Sequence, residues 1–302
     1  MAHTIGKVPK ITLGKGVAHM APTGPSDGQA KHHKDFKLNI TKALGDQLAE
    51  ELKSLAHASL DEENIGKLRE AGGVYQLYHN DVFVYVGKAD SSLPDRLRNH
   101  LQKISGRCEI PLTEVTFSCL YVDDDFSALA PEQLLIYHHK RLNGIPWNNN
   151  GFGNKDPGRQ RDTSAVKAGH FDMRFPIDLD YVIEGLTPGP TTLRLFLQTI
   201  KDRLPYTYRY QKIGPFEQKI VTVPASTMTT DAAFRLVSSA IPDDWQIVAL
   251  MGYVIMYPDS PTPYTSARRY YRGGTPVDAR PTVDTVHPIT EDAPAEGAND
   301  NE

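Results

Sequence analysis

At 302 residues the chain is long enough for a full hydrophobic core and for two domains of ordinary size. Hydrophobic residues make up 39% and charged residues 23%, and no apolar run reaches the roughly 20 residues of a membrane helix, which excludes a membrane protein. The net charge of −4 excludes a generally basic nucleic-acid coat.

That charge is unevenly spread. The stretch from Val283 to Glu302 carries acids and no Lys or Arg, and without it the remainder stands at +2. Between His138 and Arg174 seven basic residues face three acidic ones, so this segment is locally cationic and suited to phosphate. The N-terminus lacks an apolar core followed by a small-residue cleavage site, so a cytoplasmic location is expected. The two cysteines, Cys108 and Cys119, are too few for a disulfide framework and are expected as reduced thiols.

Residues 1 to 36, rich in Gly, Pro, Lys and His without periodicity, read as a flexible arm. A helix is predicted from Asn39, with Leu44, Leu48, Leu52 and Leu55 facing the core. Gly73 to Tyr78 and Val82 to Gly87 form a β-hairpin turned at His79, Asn80 and Asp81. Leu93, Leu97, Leu101 and Ile104 mark a helix with Pro94 near its start, and Arg96 and His100, four apart, share a neighbouring face of it. Val115 to Val122 is a strand, followed by a helix over about Ser127 to Leu142 that Asn143-Gly144 would end.

Asn148 to Asp162 suits neither helix nor strand and reads as an ordered loop. From about Leu186 a second unit appears, with helices predicted over Leu193 to Leu204 and Ala232 to Ala240. Its strands are predicted over Tyr206 to Lys212 and Lys219 to Val223, with one or two more over Trp245 to Tyr257. The expected divisions are therefore an arm at 1–36, a first domain at 37–182, a second small α+β domain at 186–277 and a disordered acidic tail at 278–302.

Gly73-Val74-Tyr75 and, one strand later, Tyr85-Val86-Gly87 resemble the paired signature of the GIY-YIG nucleases, with valine in place of each isoleucine. Arg96, His100, Glu132 and Asn148, the last in Pro146-Trp147-Asn148, then match that superfamily's polar positions in order. Over roughly 40–165 the chain is similar to the type II restriction-enzyme branch, most specifically in the run GFGNKDPGRQR from Gly151 to Arg161. The resemblance implies an α+β fold, with a GIY-YIG domain built as a small mixed β-sheet flanked by helices. It further implies a Mg²⁺-dependent, site-specific double-strand DNA endonuclease in which Mn²⁺ could substitute. Such an enzyme acts as a homodimer or higher homo-oligomer on DNA beside a protecting DNA methyltransferase. The other readings are a nuclease of a mobile element or repair pathway, or a DNA-binding protein with a decayed site.

On the resemblance Glu132 is the metal carboxylate, a role that suits Mg²⁺, which takes one or two protein carboxylates and completes its shell with phosphate oxygen and water. Arg96 would fork onto the phosphate. Tyr75 is the candidate general base, with Tyr85 and His100 orienting the water, although His100 could itself be the base. Asn148 would brace the site, and Lys88 would neighbour the phosphate or a tyrosine. Asn154, Lys155, Arg159 and Arg161 would contact DNA. As plain structure the same residues read as a helix-terminal Glu132, an ion-paired Arg96, a satisfied His100, a turn at Asn148 and a solvated basic loop. The histidine pairs His32-His33 and His138-His139 lack partners at zinc-like spacing and read as surface residues.

Overall fold

The computed structural model describes residues 40–122, 135–136, 145–153, 158–258 and 263–284. The architecture is the expected α+β: an antiparallel sheet with helices, followed by a further α+β region. Helix α1 (Ile40–Ser54) lays Ala49 and Leu52 on the core, with Leu48 and Leu55 half-buried beside them. A short strand β1 (Ala58–Ser59) and a single turn α2 (Glu62–Ile65) lead to the hairpin β2 (Gly73–His79) and β3 (Val82–Ala89). Asn80 and Asp81 adopt φ of 50° and 61°, the left-handed pair that a two-residue hairpin turn of matching twist requires and that Asn and Asp tolerate.

Helix α3 (Leu93–Ser105) starts with the Ser92 hydroxyl accepting the Asp95 N–H at 3.1 Å, with Pro94 in the first turn. Strand β4 (Val115–Tyr121) then enters the sheet between β1 and β2, giving the order β1-β4-β2-β3 with every pair antiparallel. β2 is therefore central and covered on both faces, which is why Gly73 to Tyr78 are all buried. One face packs on α3 through Tyr75, Leu77, Leu93, Leu97 and Ile104. The other carries Val74 and Val86 against Leu52 and Leu135.

Of the helix expected over Ser127 to Leu142, Leu135 and Ile136 are helical and the rest lies outside the described residues, as do the arm at 1–36 and residues 285–302. After β5 (Val166–Lys167) and the short helix α4 (Phe171–Arg174), the chain forms β6 (Val182–Ile183), β7 (Gly189–Thr192), α5 (Leu193–Arg203) and β8 (Tyr208–Tyr210). It continues through β9 (Ile220–Val223), β10 (Met228–Thr229), α6 (Thr230–Ser238), β11 (Trp245–Leu250), β12 (Val254–Pro258), β13 (Ala267–Arg272), β14 (Thr275–Asp278) and β15 (Val283–Asp284). The five-stranded sheet β14-β13-β11-β12-β8 is the mixed one: β8 pairs parallel to β12 and all other pairs are antiparallel. Helices α5 and α6 pack on one face of it through Phe196, Leu197, Phe234 and Val237.

Two findings depart from the sequence reading. The β13–β14 hairpin lacks an apolar strand signal, because Ala267 to Arg272 carries three arginines, which bond to the Ile177 carbonyl, to Asp231 and Asp278, and to Gln246. Asp278, the expected first residue of a disordered tail, instead closes β14, and Val283–Asp284 pairs in parallel with β5. The chain thus stays ordered through Asp284 because its backbone finds partners on β13 and β5.

Candidate active site

Strand alternation turns Tyr75 toward α3. Its register partner across the hairpin is Gly87, and a Cβ there would collide with the Tyr75 hydroxyl, so this glycine makes the space in which the phenol lies. Tyr85, opposite Leu77, faces the same way, with ring centroids of the two tyrosines 6.1 Å apart. Helix α3 completes the group. His100 Nε2 lies 2.6 Å from the Tyr75 hydroxyl, and Arg96 donates from Nε to the same oxygen at 3.2 Å. The four-residue spacing of Arg96 and His100 places both side chains over one hairpin tyrosine.

The turn at 151–153 closes the cluster from the side. Phe152 stacks on His100 at 4.8 Å and 17° and meets Tyr85 edge-on at 4.9 Å. Gly153 approaches the Tyr85 hydroxyl so closely that a side chain could not be accommodated. Tyr75, Tyr85, His100 and Phe152 are all buried, and Arg96 alone in the cluster is half-exposed.

The electrostatics follow from this burial. Burial pushes His100 well below the ordinary imidazole value, and the charges of Arg96 and Lys103 push the same way, so the ring is neutral at pH 7. For Arg96 burial acts against the charge, but the oxygens of Tyr75 and Tyr85 outweigh it and hold its pKa above the usual arginine value. The result is one cation set against two phenol oxygens and a neutral imidazole. That arrangement stabilises negative charge on a tyrosine oxygen or on a phosphate next to it.

The remaining sequence candidates separate. Asn148 accepts from Val86 N–H at 3.0 Å and donates to Val86 C=O at 2.9 Å, closing the free edge of β3 with both ends of its amide. Lys88 lies opposite Val74, on the sheet face away from the tyrosines, and pairs with Asp90 at 2.8 Å. Arg159 sits over the Tyr257 ring at 4.3 Å, toward the C-terminal region, and Arg161 meets His170 Nε2 at 3.0 Å within the expected first domain. Glu132, Asn154 and Lys155 lie outside the described residues.

Two contributors escaped the sequence reading. Phe152 stood inside the GFG run without an assigned role. Lys103 lies three residues beyond His100 on the same helix and holds the carbonyls of Gly151 and Phe152. Extending the Arg96–His100 face by one turn would have found Lys103.

Among the described residues no three His, Cys, Asp or Glu side chains converge to hold a metal. No helix among them is long and apolar enough to cross a membrane.

A family model for the GIY-YIG catalytic domain matches residues 71–145, which span β2, β3, α3 and β4. No curated protein matches the chain. A GIY-YIG catalytic domain implies nuclease activity with DNA as substrate, and such domains generally depend on a divalent metal.

Proposed function

We propose that the chain is a Mg²⁺-dependent endonuclease cutting both strands of DNA at a defined site, a type II restriction enzyme working beside a methyltransferase that protects host DNA. The observation that carries this reading is the Tyr75 oxygen, held between a neutral His100 and a charged Arg96 on the sheet face covered by α3. Phosphodiester hydrolysis needs a water deprotonated in line, charge neutralised on the phosphoryl oxygens and a stabilised leaving oxygen. In this reading Tyr75 enters the step as phenolate, its own proton released beforehand, takes the proton from water and ends as phenol, while Arg96 stabilises the phenolate and the phosphate. Tyr85 and His100 orient the phenol and the water.

Tyr75 has no solvent exposure and Arg96, which bonds its oxygen, is half-exposed, so in this reading the phosphate approaches from the Arg96 side. The described cluster is phenolic and cationic and holds no carboxylate, so it fits a phosphate and leaves the metal to a residue from another segment. Glu132 would be that ligand, and the ion when bound supplies charge neutralisation at the phosphoryl and leaving oxygens. Asn148 fixes the β3 strand that carries Tyr85 and Gly87.

The catalytic unit is residues 37–182, and the unit at 186–277 braces its basic loop. In support, buried Asp162 accepts from Arg209 and from Tyr253 O–H at 2.8 Å. Lys88, Asn154, Lys155, Arg159 and Arg161 serve DNA contact, and cutting a palindrome calls for a two-fold dimer.

The test incubates the purified protein with plasmid DNA in Mg²⁺ or in EDTA. Discrete fragments in Mg²⁺ and none in EDTA are expected. Tyr75→Phe should lose about 10²–10⁴ in rate, and Glu132→Gln all cleavage, with DNA binding retained in both. A smear, or nicking confined to branched DNA, rejects the restriction role in favour of a repair or mobile-element nuclease. A gel shift without any cleavage rejects the nuclease.

A further inference from the structure

One turn beyond the tyrosine cluster, a cleft of about 400 Å³ opens between the end of α3 and the C-terminal region. Lys103, Arg107, Arg161, His170 and Asp172 line it, with Tyr253 on the far side. Three basic side chains therefore share one carboxylate. Arg107 is buried and takes Asp172 at 2.9 Å, Phe175 C=O at 3.1 Å and Gly252 C=O at 3.3 Å; its Nε has no hydrogen-bond partner among the described residues but is sealed within the wall, so Arg107 gives the cleft charge rather than an open donor.

His170 is approached by donors on both ring nitrogens. Its Nδ1 lies 3.2 Å from the Asp172 N–H and its Nε2 lies 3.0 Å from an Arg161 N–H. A neutral imidazole accepts at only one nitrogen; with Nε2 accepting from Arg161, the Nδ1–H has beside it only the Asp172 carboxylate, 3.6 Å away and already held by Arg107. Burial keeps His170 below the ordinary imidazole value, which holds the ring neutral. Burial, with Arg107 next to it, also brings Lys103 down to about 8. A half-buried cleft that sets Lys103, Arg107 and Arg161 against the single carboxylate of Asp172 lacks an acceptor that carries negative charge.

We propose that this cleft binds a phosphate group, and that on the nuclease reading above, on which this rests, the phosphate is one of the DNA backbone other than the one being cut. The path to the cluster is short. Lys103 holds the carbonyls of Gly151 and Phe152, and Phe152 stacks on His100. A backbone phosphate seated in the cleft therefore fixes the register of the strand against Tyr75.

The experiment uses the full chain and duplex DNA in EDTA, so that binding is read without cleavage, over a series of salt concentrations. Inorganic phosphate is the second ligand, titrated by calorimetry and then added as a competitor. Arg161→Gln is the deciding variant. Lys103→Met is its companion, accepted only if its circular dichroism and urea midpoint show a folded chain.

The expected result is that each substitution lowers the slope of log affinity against log salt by about one. Inorganic phosphate should bind the unsubstituted chain, compete with DNA and lose its binding in Arg161→Gln. An unchanged salt slope in Arg161→Gln overturns the inference, whether free phosphate binds or not, because the DNA backbone then does not enter the cleft. Cleavage that persists beside an unchanged slope sinks the cleft and leaves the nuclease reading standing. Tyr75→Phe cutting at the unsubstituted rate sinks the catalytic assignment, while the EDTA binding data still decide the cleft.

Discussion

Phe152 is fully buried between His100, Tyr85, Trp147 and Phe171, and its stack on His100 keeps that imidazole out of water. Phe152→Ala should cost about 3–5 kcal/mol of stability through the cavity it leaves, read as a shift in urea midpoint. It should also slow cleavage, because hydrated His100 no longer holds the Tyr75 phenol in place. The neutral state of His100 has a pH consequence. Its folded pKa lies below the unfolded value of about 6.5, so the unfolded chain binds the proton first as pH falls. The stabilising contribution is thus complete above pH ~6.5 and lost progressively below it. The melting temperature should fall between about pH 7 and pH 5. His100→Asn should flatten part of that fall, the rest belonging to His170, which is shifted in the same direction. A melting temperature indifferent to pH in this window would contradict a neutral, buried His100.

Among the elements, the hairpin β2–β3 and helix α3 were legible because their signals are local. An Asn-Asp pair sets the turn, a serine and a proline set the helix start, and leucines recur at helical spacing. The closure of the β3 edge was not legible in the same way. Asn148 reads as a turn residue in its own neighbourhood, and only the fold brings it to Val86. Lys88 is placed by its strand alone: the period of two puts it on the other face from Tyr75 and Gly87, so any DNA contact it makes is apart from the tyrosine cluster. Asn148→Ala should leave the Val86 N–H and C=O without their partners and cost about 1–3 kcal/mol, measured by urea denaturation. Asn148→Asp should cost at least as much, since a carboxylate cannot donate to the Val86 carbonyl. An unchanged midpoint in both variants would show that the β3 edge does not depend on this residue.

At the scale of the whole molecule, the C-terminal region meets the catalytic half through charged groups. Arg107 joins Asp172 to the Gly252 carbonyl, and Asp162 joins the loop after Arg159 to Arg209 and Tyr253. None of these pairs was visible in sequence, because each spans many residues and involves side chains with no local signature. Breaking a buried pair from one side costs about 3–5 kcal/mol. Asp162→Asn should therefore destabilise the protein by that order and raise the DNA concentration needed for half-maximal cleavage more than it lowers the maximal rate. The central claim, that an acidic side chain at 132 meets Tyr75 and Arg96 around one ion and one phosphate, is tested most directly by a crystal structure with duplex DNA and Mn²⁺. The account predicts an anomalous peak within about 2–2.5 Å of a Glu132 carboxylate oxygen, on a phosphate that Arg96 also contacts. A Glu132 carboxylate more than about 15 Å from Tyr75 and Arg96, too far for one ion and one phosphate to bridge, would contradict it.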